Sequence, residues 1–422
     1  MTVVRPSPLW HPFTQHGLEA GMVRIRRAEG AWLECDDGRR IFDAISSWWV
    51  ITHGHRHPAI MRAIKDQADQ LDQVIFAGFT HEPAEQVARG LIEIAPHGLA
   101  HVFLSDSGST AVEVALKMAL GYWRNRAVPR TKIVALEHAY HGDTVGAMSA
   151  GARGVFNAPY DPMLFEVRRI AFPVAGGEQH TLDALEDECK GGTIAALICE
   201  PLILGAGGML IYDAATLADM HRICAKYDVL FIADEVMTGF GRTGTTFACE
   251  QAGIAPDIMC VAKGLTGGAL PLAATLCRRE IFEAHVSTDR ARMFFHSSSF
   301  TANPLACAAA ATNLKIWKSE PVLARITDLA DHQSNAVARL QRDQRLSNVR
   351  QLGTIAAFDI AGSANGYLAD IALQLRRACL ARGVLARPLG ATVYVMPPYC
   401  VTADELDGAY AAISDAISEV TA

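Results

Sequence analysis

Two positions carry the chemistry in this sequence. Asp234 closes the apolar run Val229-Leu-Phe-Ile-Ala233, and Lys263 closes Asp257-Ile-Met-Cys-Val-Ala262. An apolar run that ends in one charged residue reads as a buried parallel strand delivering a polar group at its carboxyl end, the edge at which open α/β sheets hold ligands. Two consecutive strands thereby aim an acid and an amine at one crevice. Pyridoxal 5'-phosphate (PLP) chemistry needs this pair: a lysine forms the Schiff base, and an aspartate keeps the pyridine nitrogen protonated so that the ring accepts electrons. Alone, a strand-end lysine reads as a solvated loop residue and an aspartate before a glutamate as a helix cap. The flanks favour chemistry. Gly264-Leu-Thr-Gly-Gly268 leaves little side chain around Lys263 and suits close approach of a flat cofactor, and a second glycine-punctuated segment, residues 235–244, follows the acid.

A phosphate site is expected upstream. Ser105-Asp-Ser-Gly-Ser-Thr110 follows the apolar run 101–104 and opens a helical pattern at Ala111. Small hydroxyl residues and glycine at a helix amino terminus leave N–H groups free to meet an anion. An ordinary N-cap has the same signature, and the candidate Schiff-base lysine tips the reading to phosphate. In Glu137-His-Ala-Tyr-His-Gly-Asp-Thr144, Tyr140 is placed to stack on a pyridine face, packing being its plainer role. His53-Gly-His-Arg-His-Pro58 has metal-like density but no neighbouring acid or cysteine, and Pro58 suits the first position of a helix, so a polar turn and no metal site is expected. His138 and His141 are read with the same caution.

These residues need a scaffold. Residues 1–50 give short strand patterns at 23–27, 31–35 and 40–43, with an Asp-Gly hairpin signal between the last two. Residues 58–318 alternate helical segments with apolar runs at 101–104, 132–136, 194–199, 229–233, 258–262 and 272–276, the pattern of a largely parallel sheet covered by helices on both faces. Past a long helix near 302–318, short strands at 347–353, 355–360, 384–387 and 392–396 surround an amphipathic helix at 369–382. The expected division is an amino-terminal segment, 1–57, a large domain, 58–318, and a carboxyl-terminal part, 319–422, which packs with the first segment as a smaller α+β domain.

Composition sets outer limits. Of 422 residues, 50% are hydrophobic and 20% charged, which is a globular enzyme's balance, and the net charge of −7 gives no electrostatic footprint for nucleic acid. No stretch reaches the roughly 18 apolar residues of a membrane span, and the start, Met1-Thr-Val-Val-Arg-Pro-Ser-Pro-Leu-Trp10, lacks the apolar core of a secretory signal. Ten cysteines without a C-x-x-C pair read as reduced, buried thiols, so the cytoplasm is the expected compartment.

With these motifs placed, the chain resembles the class III aminotransferases, PLP enzymes of fold type I, nearly end to end. Finer motifs are Trp10-His-Pro-Phe-Thr-Gln15, Ser46-Ser-Trp-Trp49, Gly239-Phe-Gly-Arg-Thr-Gly244, Phe247-Ala-Cys-Glu250, Asn303-Pro-Leu-Ala-Cys-Ala308 and Tyr394-Val-Met-Pro-Pro-Tyr399. They resemble the branch that moves the amino group of S-adenosyl-L-methionine to 8-amino-7-oxononanoate in biotin biosynthesis, giving 7,8-diaminononanoate. The resemblance implies that Lys263 holds PLP and shuttles a proton, that Asp234 pairs with the pyridinium, that Tyr140 stacks on the ring, and that Gly108 and Ser109 bind the phosphate. It implies a homodimer in which Ser299, with Ser298, reaches the other subunit's phosphate. Trp48, Trp49, Ser297 and Tyr394 would line the substrate pocket, and Arg387 and Arg242 would meet substrate carboxylates. Two positions depart from the pattern. Phe13 stands where the family often has tyrosine, as in relatives that use lysine as donor, and Ser297-Ser-Ser299 stands where Gly-Pro-Thr is common. The alternatives are therefore lysine as donor to the same acceptor, another ω-aminotransferase acting on a diamine, ornithine or γ-aminobutyrate, an aminomutase, or a non-enzymatic PLP or nucleotide binder.

Overall fold

Seven strands form the main sheet, and their connections explain their directions. The computed structural model describes residues 8–19, 21–363 and 366–421; residues 1–7, on which part of the reading of the amino terminus rests, lie outside them. The sheet order is Leu99–Ser105, Ala273–Arg278, Ile258–Val261, Leu230–Asp234, Ile194–Cys199, Lys132–Leu136, Arg168–Ile170. The last five strands are mutually parallel. Helices such as Ala214–Lys226, between Ile194–Cys199 and Leu230–Asp234, make the crossovers that parallel pairing needs. Residues 262–272 hold only a 3-10 turn, Lys263–Thr266, so the chain reverses there and Ala273–Arg278 pairs antiparallel with both neighbours.

Every residue of Ile194–Cys199 is buried, as a strand covered on both faces must be. One cover is the helix Gly108–Asn125, whose Val112, Ala115, Met118, Ala119, Tyr122 and Trp123 are buried. The opposite face is covered by Glu82–Ile94, Glu178–Lys190, Ala214–Lys226 and Pro304–Ser319. The edge strand Arg168–Ile170 escaped the sequence reading because three residues, two of them arginines, give neither an apolar run nor alternation.

The amino-terminal strands Ile25–Glu29, Trp32–Cys35 and Arg40–Asp43 form the expected antiparallel ribbon. Val384–Leu385 adds to it in parallel beside Arg40–Asp43, so segments from both chain ends share one sheet. A second antiparallel sheet joins Leu346–Leu352, Ile355–Ile360 and Thr392–Val395. The tail is more helical than the sequence reading had it. Val322–Leu340 and Ala403–Thr421 are 19-residue helices whose buried residues, such as Val322, Ile326, Leu329, Ala336 and Val337, recur at helical spacing. Together with Phe42, Ala356, Phe358 and Val395 they build a core separate from those flanking the main sheet. Among the described residues no helix is long and apolar enough to cross a membrane.

Candidate active site

The carboxyl edge of the main sheet opens into a cavity of about 420 Å³. Three neighbouring strands each deliver one ionisable group there: Asp234 ends Leu230–Asp234, Lys263 follows Ile258–Val261, and Glu200 follows Ile194–Cys199. Glu200 was absent from the sequence reading, although Ile194-Ala-Ala-Leu-Ile-Cys199 before it has the signature that singled out Asp234.

Asp234 is held through both carboxylate oxygens. Oδ1 accepts the N–H of Val236 at 3.1 Å, and Oδ2 lies 2.7 Å from Nδ1 of the buried His141. Glu200 accepts N–H groups from Tyr140 and Gly205, both at 3.0 Å. Burial pushes its carboxyl up to about 7, with Asp234 adding to the rise and His141 opposing it. The Lys263 amine is pulled down to about 8, first by removal from water; the carboxylates of Asp234 and Glu200 resist that fall and Arg242 adds to it. Nζ of Lys263 makes no hydrogen bond or ion pair among the described residues and sits 5.0 Å from the ring centre of Trp49. An amine whose charged form is disfavoured by burial, without a hydrogen-bond partner and next to a fixed acid, is the arrangement a nucleophilic lysine requires.

The glycines around Lys263 admit protein rather than open space. A Cβ on Gly264 would lie 2.8 Å from Cβ of Phe240, and one on Gly268 would lie 2.6 Å from the Val50 carbonyl oxygen. The reading that they clear room for a flat ligand is corrected on that ground.

The helix Gly108–Asn125 points its amino terminus into the same cavity. Ser107 caps it: its hydroxyl accepts the N–H of Thr110 at 3.3 Å, and Thr110 Oγ1 accepts the N–H of Ser107 at 2.9 Å. The N–H of Ala111 goes to the Ser107 carbonyl at 3.0 Å. Among the described residues the N–H groups of Gly108 and Ser109 meet no partner, and they face the end of the helix where its dipole favours an anion. Ser109 Oγ accepts the N–H of Asp143 at 3.1 Å, and a Cβ on Gly142 would lie 2.0 Å from that oxygen, so Gly142 lets the Tyr140 loop close over the helix start. These features fit a cofactor with a phosphate, an aldehyde and a basic ring nitrogen. Tyr140 lines the cavity, and burial with Asp143 beside it raises its hydroxyl well above the ordinary range, so it stays neutral.

The opposite wall comes from the amino-terminal segment and from residues 387–394, with Trp49, Tyr394 and Leu389 packed in one small cluster. Trp48 and Trp49 line the cavity on a tight loop in which Ser46, Ser47 and Trp49 all have positive φ, 55°, 58° and 65°. Each such residue costs about 1–2 kcal/mol when it is not glycine. Trp49 Nε1 donates to the Tyr394 hydroxyl at 2.9 Å. The Arg387 guanidinium lies 4.7 Å over the Trp48 ring and donates to the Phe13 carbonyl at 3.1 Å, and the Phe13 ring is 5.8 Å from Trp48. Phe156, Tyr367 and Leu389 complete this apolar mouth and were not foreseen.

Four expected residues lie elsewhere. Arg242 is 1% exposed and does not line the cavity. Its guanidinium donates to the carbonyls of Ile51 at 2.7 Å and Pro397 at 3.0 Å, so it braces the tryptophan loop instead of facing a substrate carboxylate. Ser297, Ser298 and Ser299 lie on a partly exposed segment outside the cavity of their own chain. The three histidines of residues 53–57 diverge: His53 pairs with Asn313 at 2.8 Å, His55 with Asp43 at 2.8 Å and His57 with Glu320 at 3.3 Å.

Comparison with known proteins agrees with this geometry. The aminotransferase class-III family model matches residues 14–417. The adenosylmethionine-8-amino-7-oxononanoate aminotransferase of Synechococcus elongatus is 46% identical over 98% of this chain and 99% of its own, and that of Aquifex aeolicus is 37% identical over 97% and 95%. The crystal structure of the enzyme of that name from Methanocaldococcus jannaschii superposes with a TM-score of 0.94 at 33% identity, covering 98% of this chain and 97% of the other. An amine transaminase from an uncultivated Pseudomonas species gives a TM-score of 0.92 at 30% identity, over 98% and 99%.

Proposed function

The chain belongs to the class III aminotransferases, and on that premise we propose that it transfers the amino group of S-adenosyl-L-methionine to 8-amino-7-oxononanoate, giving 7,8-diaminononanoate, with PLP as its cofactor. The observation that carries the chemistry is the delivery of Lys263 and Asp234 by adjacent strands into one cavity that also receives a helix amino terminus. The substrate pair is supported by the printed names of relatives that match nearly the whole chain.

When bound, PLP would accept the donor's amino group and hand it to the acceptor carbonyl. Lys263 is the amine for its aldehyde and, once freed from it, the base that moves a proton at the reacting carbon. Asp234, oriented by His141, would hold the proton on the ring nitrogen. The free N–H groups of Gly108 and Ser109 would take the phosphate, and Tyr140 would cover the ring. Trp48, Trp49, Tyr394 and Phe13 would exclude water from the substrate, while Arg387 would turn from its Trp48 stack to a carboxylate, a task suited to its planar fork. Arg242 would serve that wall through the Ile51 carbonyl.

The protein would work as a cytoplasmic homodimer. Ser297, Ser298 and Ser299 are absent from their own cavity, as residues serving a partner would be, and the Ser299 carbonyl accepts from Gln73 Nε2 at 2.6 Å. The two segments it joins carry the exposed Ile75, Phe79, Phe295 and Phe300, large apolar residues of the kind subunit interfaces cover. The ten described cysteines are all free and nine are buried, which supports a reducing compartment. The proposed division remains 1–57 with 319–422 as one small domain beside 58–318.

Phe13 favours a second donor, lysine, because its ring brings no hydroxyl to the pocket mouth. A missing hydroxyl removes one hydrogen bond, worth about 1 kcal/mol net, so several-fold in affinity. Rapid mixing of the PLP-loaded protein with each donor, followed by cofactor absorbance, tests the choice. Conversion by S-adenosyl-L-methionine supports it, and conversion by lysine alone refutes it.

A further inference from the structure

Asp43 lies at the end of the strand Arg40–Asp43 with none of its surface exposed; among the described residues it forms no ion pair with an arginine or lysine, and the buried Arg242 feels its charge without touching it. Its carboxylate is directed at the tryptophan loop. The N–H of Ser47 donates to Oδ1 at 2.8 Å and to Oδ2 at 2.7 Å, the Ser47 hydroxyl adds a 3.2 Å contact, and the N–H of Ile45 reaches Oδ1 at 3.4 Å. The remaining contact to Oδ2 is Nε2 of His55 at 2.8 Å. His55 is itself fixed to the ribbon, its N–H donating to the Gly30 carbonyl at 2.7 Å. An acid gathering this many donors from one short segment sets that segment's path.

We propose that Asp43, oriented by His55, is a positioning residue that fixes the substrate-facing wall made by Trp48 and Trp49. This rests on the aminotransferase reading of the cavity. Positive φ at Ser46, Ser47 and Trp49 is a path that a chain keeps only where its surroundings over-determine it. Trp49 has an anchor of its own in Tyr394, and the loop's exit is held by Arg242 at Ile51. Trp48 has neither. It is 45% exposed, and its ring contacts are to Arg387 and Phe13, which themselves line the pocket. The direction of Trp48 is therefore set by the backbone at Ser47, which Asp43 holds. A carboxylate with a merely structural role would affect how much protein folds; a positioning carboxylate affects how well substrate fits.

The test compares His55→Leu, His55→Gln and Asp43→Asn in the PLP-loaded protein. Removing the imidazole donor in His55→Leu should raise KM for both substrates tenfold or more while kcat per bound PLP stays within about threefold. His55→Gln, which keeps an N–H donor, should bring KM back to within about threefold of the unsubstituted protein. The second readout needs no turnover. In 5-fluorotryptophan-labelled protein, the signals assigned by Trp48→Phe and Trp49→Phe should shift or broaden in His55→Leu and Asp43→Asn, while the signal of Trp123, buried under the main sheet, stays in place. Unmoved Trp48 and Trp49 signals with unchanged KM, whatever the loss of folded protein, would overturn the inference. If the unsubstituted protein turns over neither donor, the functional reading fails, and the fluorine signals still decide this one.

Discussion

Nδ1 of His141 lies 2.7 Å from Oδ2 of Asp234, with the histidine side chain fully buried and the acid nearly so. With Oδ1 occupied by the N–H of Val236, the carboxylate cannot rotate, and its charge is fixed at the end of its strand. A fixed charge costs nothing to reorganise when a ring nitrogen takes up a proton.

Asp234→Asn should therefore retain PLP and still lose turnover, by roughly 10²–10³-fold in kcat, the scale on which removing one preorganised partner acts. Cofactor absorbance measured beside the steady-state rate checks this. Near-normal turnover would reduce Asp234 to a structural cap.

Lysine reactivity gives a pH prediction with a definite sign. The attacking form is the neutral amine, and the folded-state value of Lys263, about 8, lies below its ordinary 10.5, so the neutral fraction grows as pH rises through about 8. The rate at which apoprotein captures PLP should rise to a plateau above about pH 9, one unit past that value. Glu200→Gln removes a carboxylate that favours the ammonium form, so it should move the midpoint down. A midpoint near the ordinary lysine value, or an upward move in Glu200→Gln, would contradict the electrostatics of the site.

Much of this site was legible because buried parallel strands must be apolar throughout, so Asp234 and Lys263 stand out at the ends of their runs. Glu200, directly after the equally apolar Ile194–Cys199, obeys the same rule. Arg242 was misplaced. Its role came from the family resemblance alone, and the carbonyls that capture it, Ile51 and Pro397, are far away in sequence, so nothing local marks it as a brace. The helices Val322–Leu340 and Ala403–Thr421 had readable periodicity, but the pairing of Val384–Leu385 with Arg40–Asp43 did not. Two residues of strand specify no partner, and packing between chain ends decides it.

Borohydride reduction of the PLP-loaded protein followed by peptide mapping should place the pyridoxyl group on Lys263. Lys263→Ala should yield no labelled peptide. Label on Lys117 or Lys132 would sink the assignment.

Ser299→Ala should weaken PLP retention by roughly tenfold or more, one lost hydrogen bond to a charged group at about 1.5–3 kcal/mol. If the hydroxyl serves the partner subunit, retention in the unsubstituted protein should fall on dilution together with the dimer. A folded monomer that holds PLP as tightly as the dimer would contradict a role in trans.

The most direct test of the proposed reaction follows the nitrogen itself. The PLP-loaded protein is mixed with 8-amino-7-oxononanoate and either S-adenosyl-L-methionine or lysine, each ¹⁵N-labelled at its amino groups, and the product is weighed by mass spectrometry. The account predicts 7,8-diaminononanoate one mass unit heavier with labelled S-adenosyl-L-methionine and negligible product with lysine. Labelled product from lysine alone, or no product from either donor, would contradict it.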